Sequence, residues 1–361
     1  EVFADNGYKT LAAGKIFHRG DKRFFQEYLP TGGFGPRPKK KISQPHGHPL
    51  WDWGVFPDDD DLMPDMKCAK WAVEQLKKKH DKPFFMGVGF SRPHVPMYAS
   101  QKWFDMHPRE KIKLPLVRKN DRNDLSQYAI DLTNLNHVSP THKWVSEAGQ
   151  WDHAVQSYLA SVTFADHCLG LVLDALESSD YAGNTVIALF SDHGFHLGEK
   201  ERWAKRSLWE DGTRVPIIVS APDYKKNQRS ERPAELLDVF PTLLELAGLP
   251  ADPSQEGQSL VPLMKNPKKE WDHPAITSFG LGNYSIRTTR YRFIQYFDGS
   301  RELYDLSKDP HEWKNLAADP KNKSIIEEHA AHLPRKQHPI LPGRSTGHAA
   351  YGAANANIKK D

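Results

Sequence analysis

An acid and an imidazole stand side by side where an apolar run ends, within TVIALFSDHGFHLGEKERWAK (185–205). Asp192 and His193 follow VIALF after one serine, and Gly194 permits a sharp turn after them. A carboxylate suits a hard divalent cation, and a neutral imidazole can serve as a neighbouring ligand. The pair therefore predicts a divalent-metal site. The alternative is that Asp192 caps the next turn and that His193 is packed or exposed.

Three cations follow this pair closely: Lys200, Arg202 and Lys205. Cations grouped past the end of a strand can hold a tetrahedral oxyanion and stabilise the charge that grows in its transition state. The alternative is a solvated, charged turn. The group is therefore a candidate anion site beside the metal pair.

Two further groups follow other apolar runs. His94 lies between two prolines in GFSRPHVP, where we expect stiff extended backbone and a fixed proton donor for a leaving oxygen. Lys15 and His18 follow the apolar run LAAG. The alternatives are a loop histidine bonded to a backbone carbonyl at His94, a surface lysine at Lys15 and a packed histidine at His18.

Alternating helices and apolar strands predict the fold that positions these groups: α/β, with a mainly parallel sheet sandwiched by helices. The predicted strands are YKTLAAG, KPFFMGVGF, NTVIALF and VPIIVSAP, of which the last three are predicted to be buried; the predicted helices are 61–80, 154–177 and 235–249. Ligands bind beyond the carboxyl ends of such strands. The Lys/His groups at three strand ends therefore favour metal-assisted attack on a sulfate or phosphate ester.

The pattern changes after about residue 270. Strand alternation around an Asp298-Gly299 turn predicts a hairpin within a small antiparallel α+β subdomain, followed by a helix in SIIEEHAAHL. We therefore predict a catalytic domain, a C-terminal subdomain and a flexible polar tail, spanning 1–268, 269–334 and 335–361. Two stretches, 20–60 and 97–150, lack periodicity and predict an irregular excursion and a long loop.

The composition excludes some classes of protein. The net charge is only +3 over 361 residues and the basic residues do not gather into one block, so no nucleic-acid partner is implied. No apolar run approaches the roughly 18 residues of a membrane span. The two cysteines, Cys68 and Cys168, give neither a disulfide framework nor metal-ligand spacing, and Cys168 is predicted to be a small buried hydrophobe.

Along nearly its whole length the chain resembles the type I sulfatases, most of all their iduronate-2-sulfatase branch. The motifs that carry the resemblance are GYKTLAAGKIFH, PFFMGVGFSRPHVP, YLASVTFADHCLGLVLDALE, SDHGFHLGEKERWAK, LLDVFPTLLELAGL, YSIRTTRYRFIQY and ELYDLSKDPHEWKNLA. Two details point to that branch. A histidine follows Lys15 three residues later, where many sulfatases place it two later, and the metal pair is Asp-His where many others have Asp-Asn.

The resemblance implies an alkaline-phosphatase-like fold, one calcium ion and a sulfated carbohydrate substrate, such as a 2-O-sulfated uronic acid. It implies export to a periplasmic, extracellular or lysosomal location. The implied roles are calcium binding by Asp192 and His193, sulfate binding by Lys15 and Lys205, protonation of the leaving oxygen by His94, contact with the nucleophile by His18, and substrate binding by Arg92, Lys200 and Arg202.

Two elements of the sulfatase pattern are missing from this sequence. Sulfatases use a formylglycine made from the cysteine of C-x-P-S-R or C-x-A-x-R, and paired aspartates as further calcium ligands. Neither cysteine has that context, and the acidic run Asp58–Asp61 is predicted to be a solvated loop. We therefore expect the formylglycine upstream of residue 1, and an inactive fragment without it. The alternatives are a phosphoesterase of the same superfamily and a non-catalytic protein that binds sulfated glycans.

Overall fold

The computed structural model describes residues 1–17, 22–30, 32–134 and 138–336. Its contacts divide the chain into two compact units. The first comprises Glu1–Pro115 and Asn136–Thr185, and the second comprises Leu116–Leu135 and Val186–Asp361. His18 and residues 337–361 of the predicted tail lie outside the described residues, and the predicted domain boundaries stay predictions.

The described residues form short strands and helices linked by turns. The strands are β1 Lys9–Gly14, β2 Glu27–Pro30, β3 Trp53–Val55, β4 Phe84–Gly89, β5 Met97–Ala99, β6 Ile187–Phe190, β7 His196–Leu197, β8 Trp203–Ala204, β9 Ile217–Ser220, β10 Ala275–Ser278, β11 Tyr284–Arg287, β12 Tyr291–Gln295 and β13 Arg301–Asp305. The helices are α1 Val2–Asp5, α2 Pro64–Leu76, α3 Gln101–Asp105, α4 Gln127–Thr133, α5 His142–Glu147, α6 Trp151–Glu177, α7 Glu210–Thr213, α8 Val239–Leu246, α9 Val261–Lys265 and α10 Lys323–Ala330.

The first unit carries parallel sheet. Its main sheet has the strand order β2-β1-β4, with both pairings parallel, and β3 and β5 form a second parallel pair. Strand β1 lies in the centre, and Leu11, Ala12 and Ala13 are fully buried. Helices α2 and α6 pack their apolar faces together with α3 and β5 in one cluster, formed by Met63, Met66, Ala69, Ala99, Trp103, Phe104, Ala160, Phe164 and Cys168.

Helix α6 is long and apolar enough to cross a membrane by length and composition alone. The core helices of water-soluble proteins meet the same criterion, and Ala160 and Phe164 of this helix are fully buried in the cluster of the first unit. The buried share of its 18-residue apolar window is 22%.

Both cysteines lie in the first unit as buried free thiols. Cys168 belongs to the apolar cluster and is fully buried, which confirms its prediction as a small buried hydrophobe. Burial raises the pKa of the Cys68 thiol to about 12 and also raises that of Cys168. Both thiols therefore stay protonated in the folded protein.

The second unit is built from antiparallel pairs. Strands β6 and β9 pair antiparallel, β7 and β8 form a minimal hairpin, and β10 to β13 form a four-stranded antiparallel sheet in sequence order. The turn at Asp298 and Gly299 joins β12 to β13, as predicted. Parallel sheet with helices, together with this C-terminal antiparallel sheet, confirms the predicted fold class.

Three predictions about the elements were wrong. The predicted loop 97–150 contains β5, α3, α4 and α5, and the excursion 20–60 contains β2 and β3. Strands β4, β6 and β9 were expected to be buried, but their residues are half-exposed or exposed, with Phe190 at 50% and Ile218 at 58%. A continuous apolar run therefore did not predict burial in these strands, whereas β1, which lies in the centre of its sheet, is buried.

Two glycines bring the ends of β1 and β4 into close contact. Gly14 has φ +78°, and a Cβ there would lie 2.0 Å from the carbonyl oxygen of its register partner, Gly89. A Cβ on Gly89 would lie 2.2 Å from the carbonyl oxygen of Lys15. Only glycine fits at either position, so the path of the backbone into Lys15 is fixed by this contact.

We expect Gly14→Ala to lower the free energy of unfolding by more than about 3 kcal/mol, because it adds a steric clash to an unfavourable backbone conformation. Gly7→Ala is the matched control, since Gly7 has φ +85° but a Cβ there would meet nothing within 4 Å, and it should lose only about 1–2 kcal/mol. Urea unfolding of both variants measures the difference. Equal losses would show that the clash is relieved at no cost.

Candidate active site

In the first unit, two of the predicted residues follow the carboxyl ends of neighbouring parallel strands. Lys15 comes directly after β1 and is half-buried, and its backbone N–H donates to the carbonyl oxygen of Gly89 at 2.8 Å. His94 lies five residues beyond the end of β4. The carboxyl ends of parallel strands share one edge of a sheet, so Lys15 and the loop that carries His94 leave from the same edge.

His94 is held by three contacts. Its Nδ1 lies 2.6 Å from the carbonyl oxygen of Val95, its backbone N–H donates to Ser91, and its ring stacks on Phe34 with centroids 4.6 Å apart. The backbone here turns, so the predicted extended conformation was wrong. Since a carbonyl oxygen only accepts, Nδ1 carries the proton. The neutral ring therefore presents a lone pair at Nε2, and the imidazolium presents a proton there.

A buried carboxylate holds the start of this loop. The two oxygens of Asp65, near the start of α2, accept the backbone N–H groups of Ser91 and Arg92, both at 2.8 Å. Asp65 is 2% exposed, and burial raises its pKa although Arg92 opposes the shift. Nothing in the local pattern of helix α2 indicated this contact.

Arg92 also stabilises the loop. Its guanidinium is buried, and its Nε and Nη2 donate to the carbonyl oxygens of Tyr98 and Phe34, both at 3.0 Å. Burial lowers its pKa, and Asp65 opposes that shift. These contacts give Arg92 a positioning role for the segment around His94, and its contact with substrate stays a prediction.

In the second unit, a short hairpin brings His193 and Lys205 together. Strand β7 begins three residues after His193, and β8 ends one residue before Lys205. The Nζ of Lys205 lies 2.7 Å from Nε2 of His193, whose Nδ1 lies 2.8 Å from the carbonyl oxygen of Gly194. Nδ1 therefore carries the proton of the ring, and Nε2 accepts from the ammonium group.

A second histidine closes this hairpin. Nε2 of His196 lies 2.7 Å from Oγ of Ser207, and the histidine is fully buried. Burial lowers the pKa of His196 to about 3, and the nearby Arg202 and Lys200 lower it further. The ring is therefore neutral at physiological pH and bonds Ser207 to the start of β7.

The geometry of Asp192 and His193 fits one divalent cation. Oδ1 of Asp192 lies 3.5 Å from Nε2 of His193, and the aspartate side chain is 57% exposed. Two adjacent ligands of a calcium ion, each about 2.4 Å from the metal and at right angles, lie about 3.4 Å apart. Because Lys205 also contacts Nε2, coordination by this nitrogen requires that the ammonium group turn away from it.

The other two cations of this region lie inside the protein. Lys200 is 3% exposed; its Nζ donates to Oδ1 of Asp121 at 3.1 Å and to the carbonyl oxygen of Glu312. Arg202 is also buried, and its Nη2 donates to the carbonyl oxygens of Lys205 and Arg206. Both cations thus support the turn that carries Lys205, and their predicted contacts with substrate stay predictions.

The turn has an unfavourable backbone. Lys200, Glu201, Ala204 and Arg206 all have positive φ, between 53° and 76°. Such conformations cost non-glycine residues about 1–3 kcal/mol each and persist only where surrounding contacts enforce them. The buried partners of Lys200 and Arg202 supply such contacts.

Glu312 belongs to the network that holds this turn. Its Oε1 lies 2.7 Å from Nε of Arg292, its Oε2 accepts the backbone N–H of Glu210, and its carbonyl oxygen accepts from Lys200. Burial raises the pKa of Glu312 to about 7, although Arg292 opposes the shift. Glu312 therefore changes its charge near neutral pH.

Two further groups of possible metal ligands were not found from the sequence. The groups are His196, Glu199 and Asp211, and Glu235, Asp238 and His273, each with ligand atoms within 4.8 Å of one another. In the second, Asp238 accepts the backbone N–H groups of Glu235 and Gln258, and Glu235 accepts that of Ile276. The bond between Glu235 and Asp238 belongs to the capping box of the short 3-10 helix Leu236–Asp238, which directly precedes α8. Other charged residues stand between the members of each group in the sequence, so their spacing did not indicate a metal site.

Comparison with known families gives two matches. Residues 1–249 match the family described as Sulfatase. Residues 198–338 match the family described as N-sulphoglucosamine sulphohydrolase, C-terminal. The first match covers more than half of the chain.

Curated relatives carry consistent names. A protein named Sulfatase from Formosa agariphila is 41% identical, over 93% of this chain and 68% of that relative. Delta 4,5-hexuronate-2-O-sulfatase from Bacteroides thetaiotaomicron is 27% identical, over 92% and 69%. Iduronate 2-sulfatase from Mus musculus is 28% identical, over 90% and 77%.

A solved structure shares the fold. The phosphonate monoester hydrolase of Agrobacterium radiobacter superimposes with a TM-score of 0.73 over 91% of this chain and 78% of that one, at 20% identity. At this identity the likeness concerns the fold alone.

We expect Asp65→Asn to lower the free energy of unfolding by about 1–3 kcal/mol, because an amide nitrogen cannot accept a backbone N–H and leaves one buried donor unpaired. Asp61→Asn is the control, since Asp61 is exposed and only pairs with Lys70 on the surface; it should change stability by less than about 0.5 kcal/mol. Urea unfolding measures both. Equal changes would mean that the Asp65 contacts do not stabilise the loop.

We expect the free energy of unfolding to fall as the pH rises from about 5 to 8, because the folded protein holds a proton on Glu312 up to about pH 7 whereas the unfolded chain releases it near the ordinary value of 4.5. The contribution is complete below pH 4.5, is lost through pH 7, and is on the order of 3 kcal/mol. Urea unfolding across this range should show a flatter pH dependence for Glu312→Gln. The exposed Glu327→Gln should retain the original slope, and an unchanged slope in Glu312→Gln would refute the assignment.

Proposed function

The chain belongs to the sulfatase family, and from that premise we propose that it hydrolyses the 2-O-sulfate ester of a uronic acid in a sulfated carbohydrate. Members of this family are sulfuric ester hydrolases. The choice of ester is supported by the His three residues after Lys15 and by the Asp-His pair. It is also supported by the name of the Bacteroides relative, a hexuronate-2-O-sulfatase. An exported location is part of the proposal.

The observation that carries the proposal is the fixed ring of His94 at the carboxyl edge of the parallel sheet. When the bond between sulfur and the sugar oxygen breaks, that oxygen gains negative charge and needs a proton. The imidazolium of His94 gives its Nε2 proton to the leaving oxygen, while its Nδ1 keeps its proton and donates a hydrogen bond to the carbonyl oxygen of Val95. The stack on Phe34 limits rotation of the ring.

Lysines bind the sulfate group in this proposal. The side chains of Lys15 and Lys205 are half-buried, and their ammonium groups offset the negative charge of the sulfate oxygens. Arg202 positions Lys205 through its bonds to the carbonyl oxygens of Lys205 and Arg206. His18 contacts the nucleophile.

Calcium and formylglycine complete the proposed chemistry. Asp192 and His193 would hold the ion, and the 3.5 Å between their ligand atoms suits two adjacent ligands. A calcium ion bound there would withdraw charge from a sulfate oxygen. The proposed nucleophile is the hydrate of a formylglycine, one hydroxyl oxygen of which would attack sulfur as the bond from sulfur to the sugar oxygen breaks.

Sulfate release tests the proposed function. The native protein is incubated with an unsaturated disaccharide that carries one 2-O-sulfate, and free sulfate is measured by ion chromatography. Parallel reactions contain a phosphate monoester and a phosphonate monoester. Preferred release of sulfate supports the proposal, preferred phosphorus chemistry indicates a phosphoesterase, and saccharide binding without hydrolysis indicates a glycan-binding protein.

We expect His94→Ala to lower kcat by about 10²–10⁴-fold in the native protein while the affinity for the desulfated product changes little, because the ring acts on the leaving oxygen in the transition state. A leaving group of low pKa, as in 4-nitrophenyl sulfate, needs less protonation and should be hydrolysed with a smaller loss. His311→Ala, at an exposed position, is the control. Parallel losses in kcat and product affinity would indicate a structural role for His94.

A further inference from the structure

The first unit contains a small cavity next to the loop that carries His94. Its volume is about 90 Å³, and its lining includes Arg37, Lys41, Asp52, Pro96 and Tyr98. Part of its lining comes from the stretch PRPKKK, for which the sequence predicted no function. Its size suits a single charged group of a ligand rather than a whole sugar ring.

A buried carboxylate gives the cavity a defined shape. Asp52 is 1% exposed; its Oδ2 accepts the backbone N–H of Ile42 at 2.8 Å, and its Oδ1 accepts that of Ser43 at 2.7 Å. Oδ2 also accepts the hydroxyl of Tyr98. These bonds tie the backbone directly after Lys41 to the strand that holds Tyr98.

The charge of the lining favours an anion. Among the residues that the structure describes, neither Arg37 nor Lys41 forms an ion pair. Both oxygens of Asp52 are already occupied by protein donors, including the backbone N–H of Gln44. Asp52 keeps its negative charge but has no free oxygen to bind a ligand, so the two cations give the lining a net positive charge and supply its available charged donors.

The cavity adjoins His94 through two segments. Phe34, whose ring stacks on His94, precedes Arg37 by three residues. Pro96 follows His94 by two residues, so their Cα atoms are at most about 7.6 Å apart. A saccharide whose leaving oxygen contacts His94 therefore has its other substituents within reach of the cavity.

We propose that Arg37 and Lys41 form a subsite for a second anionic group of the saccharide, either the carboxylate of the uronic acid or a further sulfate. This inference rests on the proposed function, since it concerns a substrate that already binds at His94. Two cations in a cavity beside the His94 loop favour polyanionic saccharides over simple sulfate esters.

The test compares two double variants in the same segment of the native protein. Arg37→Ala with Lys41→Ala removes the cavity cations, whereas Lys39→Ala with Lys40→Ala removes two exposed lysines that do not line the cavity. The substrates are the 2-O-sulfated unsaturated disaccharide and 4-nitrophenyl sulfate, which carries no second anion. We expect Arg37→Ala with Lys41→Ala to raise the ratio of the KM for the disaccharide to the KM for 4-nitrophenyl sulfate about tenfold. The control variant should change this ratio by less than twofold.

Two modified disaccharides identify the anion. If the carboxylate occupies the subsite, its reduction to an alcohol weakens binding to the unmodified protein and abolishes the difference between the variants. If a further sulfate occupies the subsite, an added N-sulfate on the disaccharide tightens binding to the unmodified protein but not to the cavity variant. Arg37→Lys, which keeps the charge, should retain most of the affinity.

Calorimetric titration with the same disaccharides separates this proposal from the proposed function. Loss of affinity in the cavity variant supports the subsite even if the protein releases no sulfate. Equal affinity and equal KM ratios in the two double variants, with unchanged melting temperatures, would overturn the subsite while leaving sulfatase activity intact.

Discussion

The closeness of two parallel strands constrains the first unit. At Gly14 and Gly89 the backbones of β1 and β4 leave no room for a side chain, and the backbone N–H of Lys15 bonds across this contact. Lys15 and the loop after β4 consequently start from one rigid point. Asp65 then fixes the first residues of that loop, so the placement of His94 depends on backbone geometry before it depends on any side chain around the ring.

The second unit positions Lys205 by other contacts. Its hairpin is too short to be stable by itself and includes several residues with positive φ. Buried charges compensate: Lys200 is held by Asp121 and by the backbone at Glu312, in the C-terminal part of the chain. The antiparallel sheet region is therefore part of what positions Lys205, although none of its residues carries a predicted catalytic role.

The sequence predicted what depends on local pattern. Helix α6, strand β1 and the Asp192-His193 turn follow from periodicity, apolar runs and residue type. What it missed depends on distant partners. Lys200 is predicted from the sequence to belong to an anion site, and nothing local indicates its burial because its partners lie 79 and 112 residues away. The stack of Phe34 on His94 and the antiparallel pairing of β6 with β9 likewise have no local signal.

The two thiols provide a chemical reporter of local opening. Both are buried in the first unit with raised pKa values, and the described part of the second unit contains no cysteine. An alkylating reagent reacts with the thiolate, so modification proceeds only through conformations that expose these side chains to water. The rate of alkylation thus gives the opening equilibrium of the unit that carries His94, separately from that of the unit that carries Lys205.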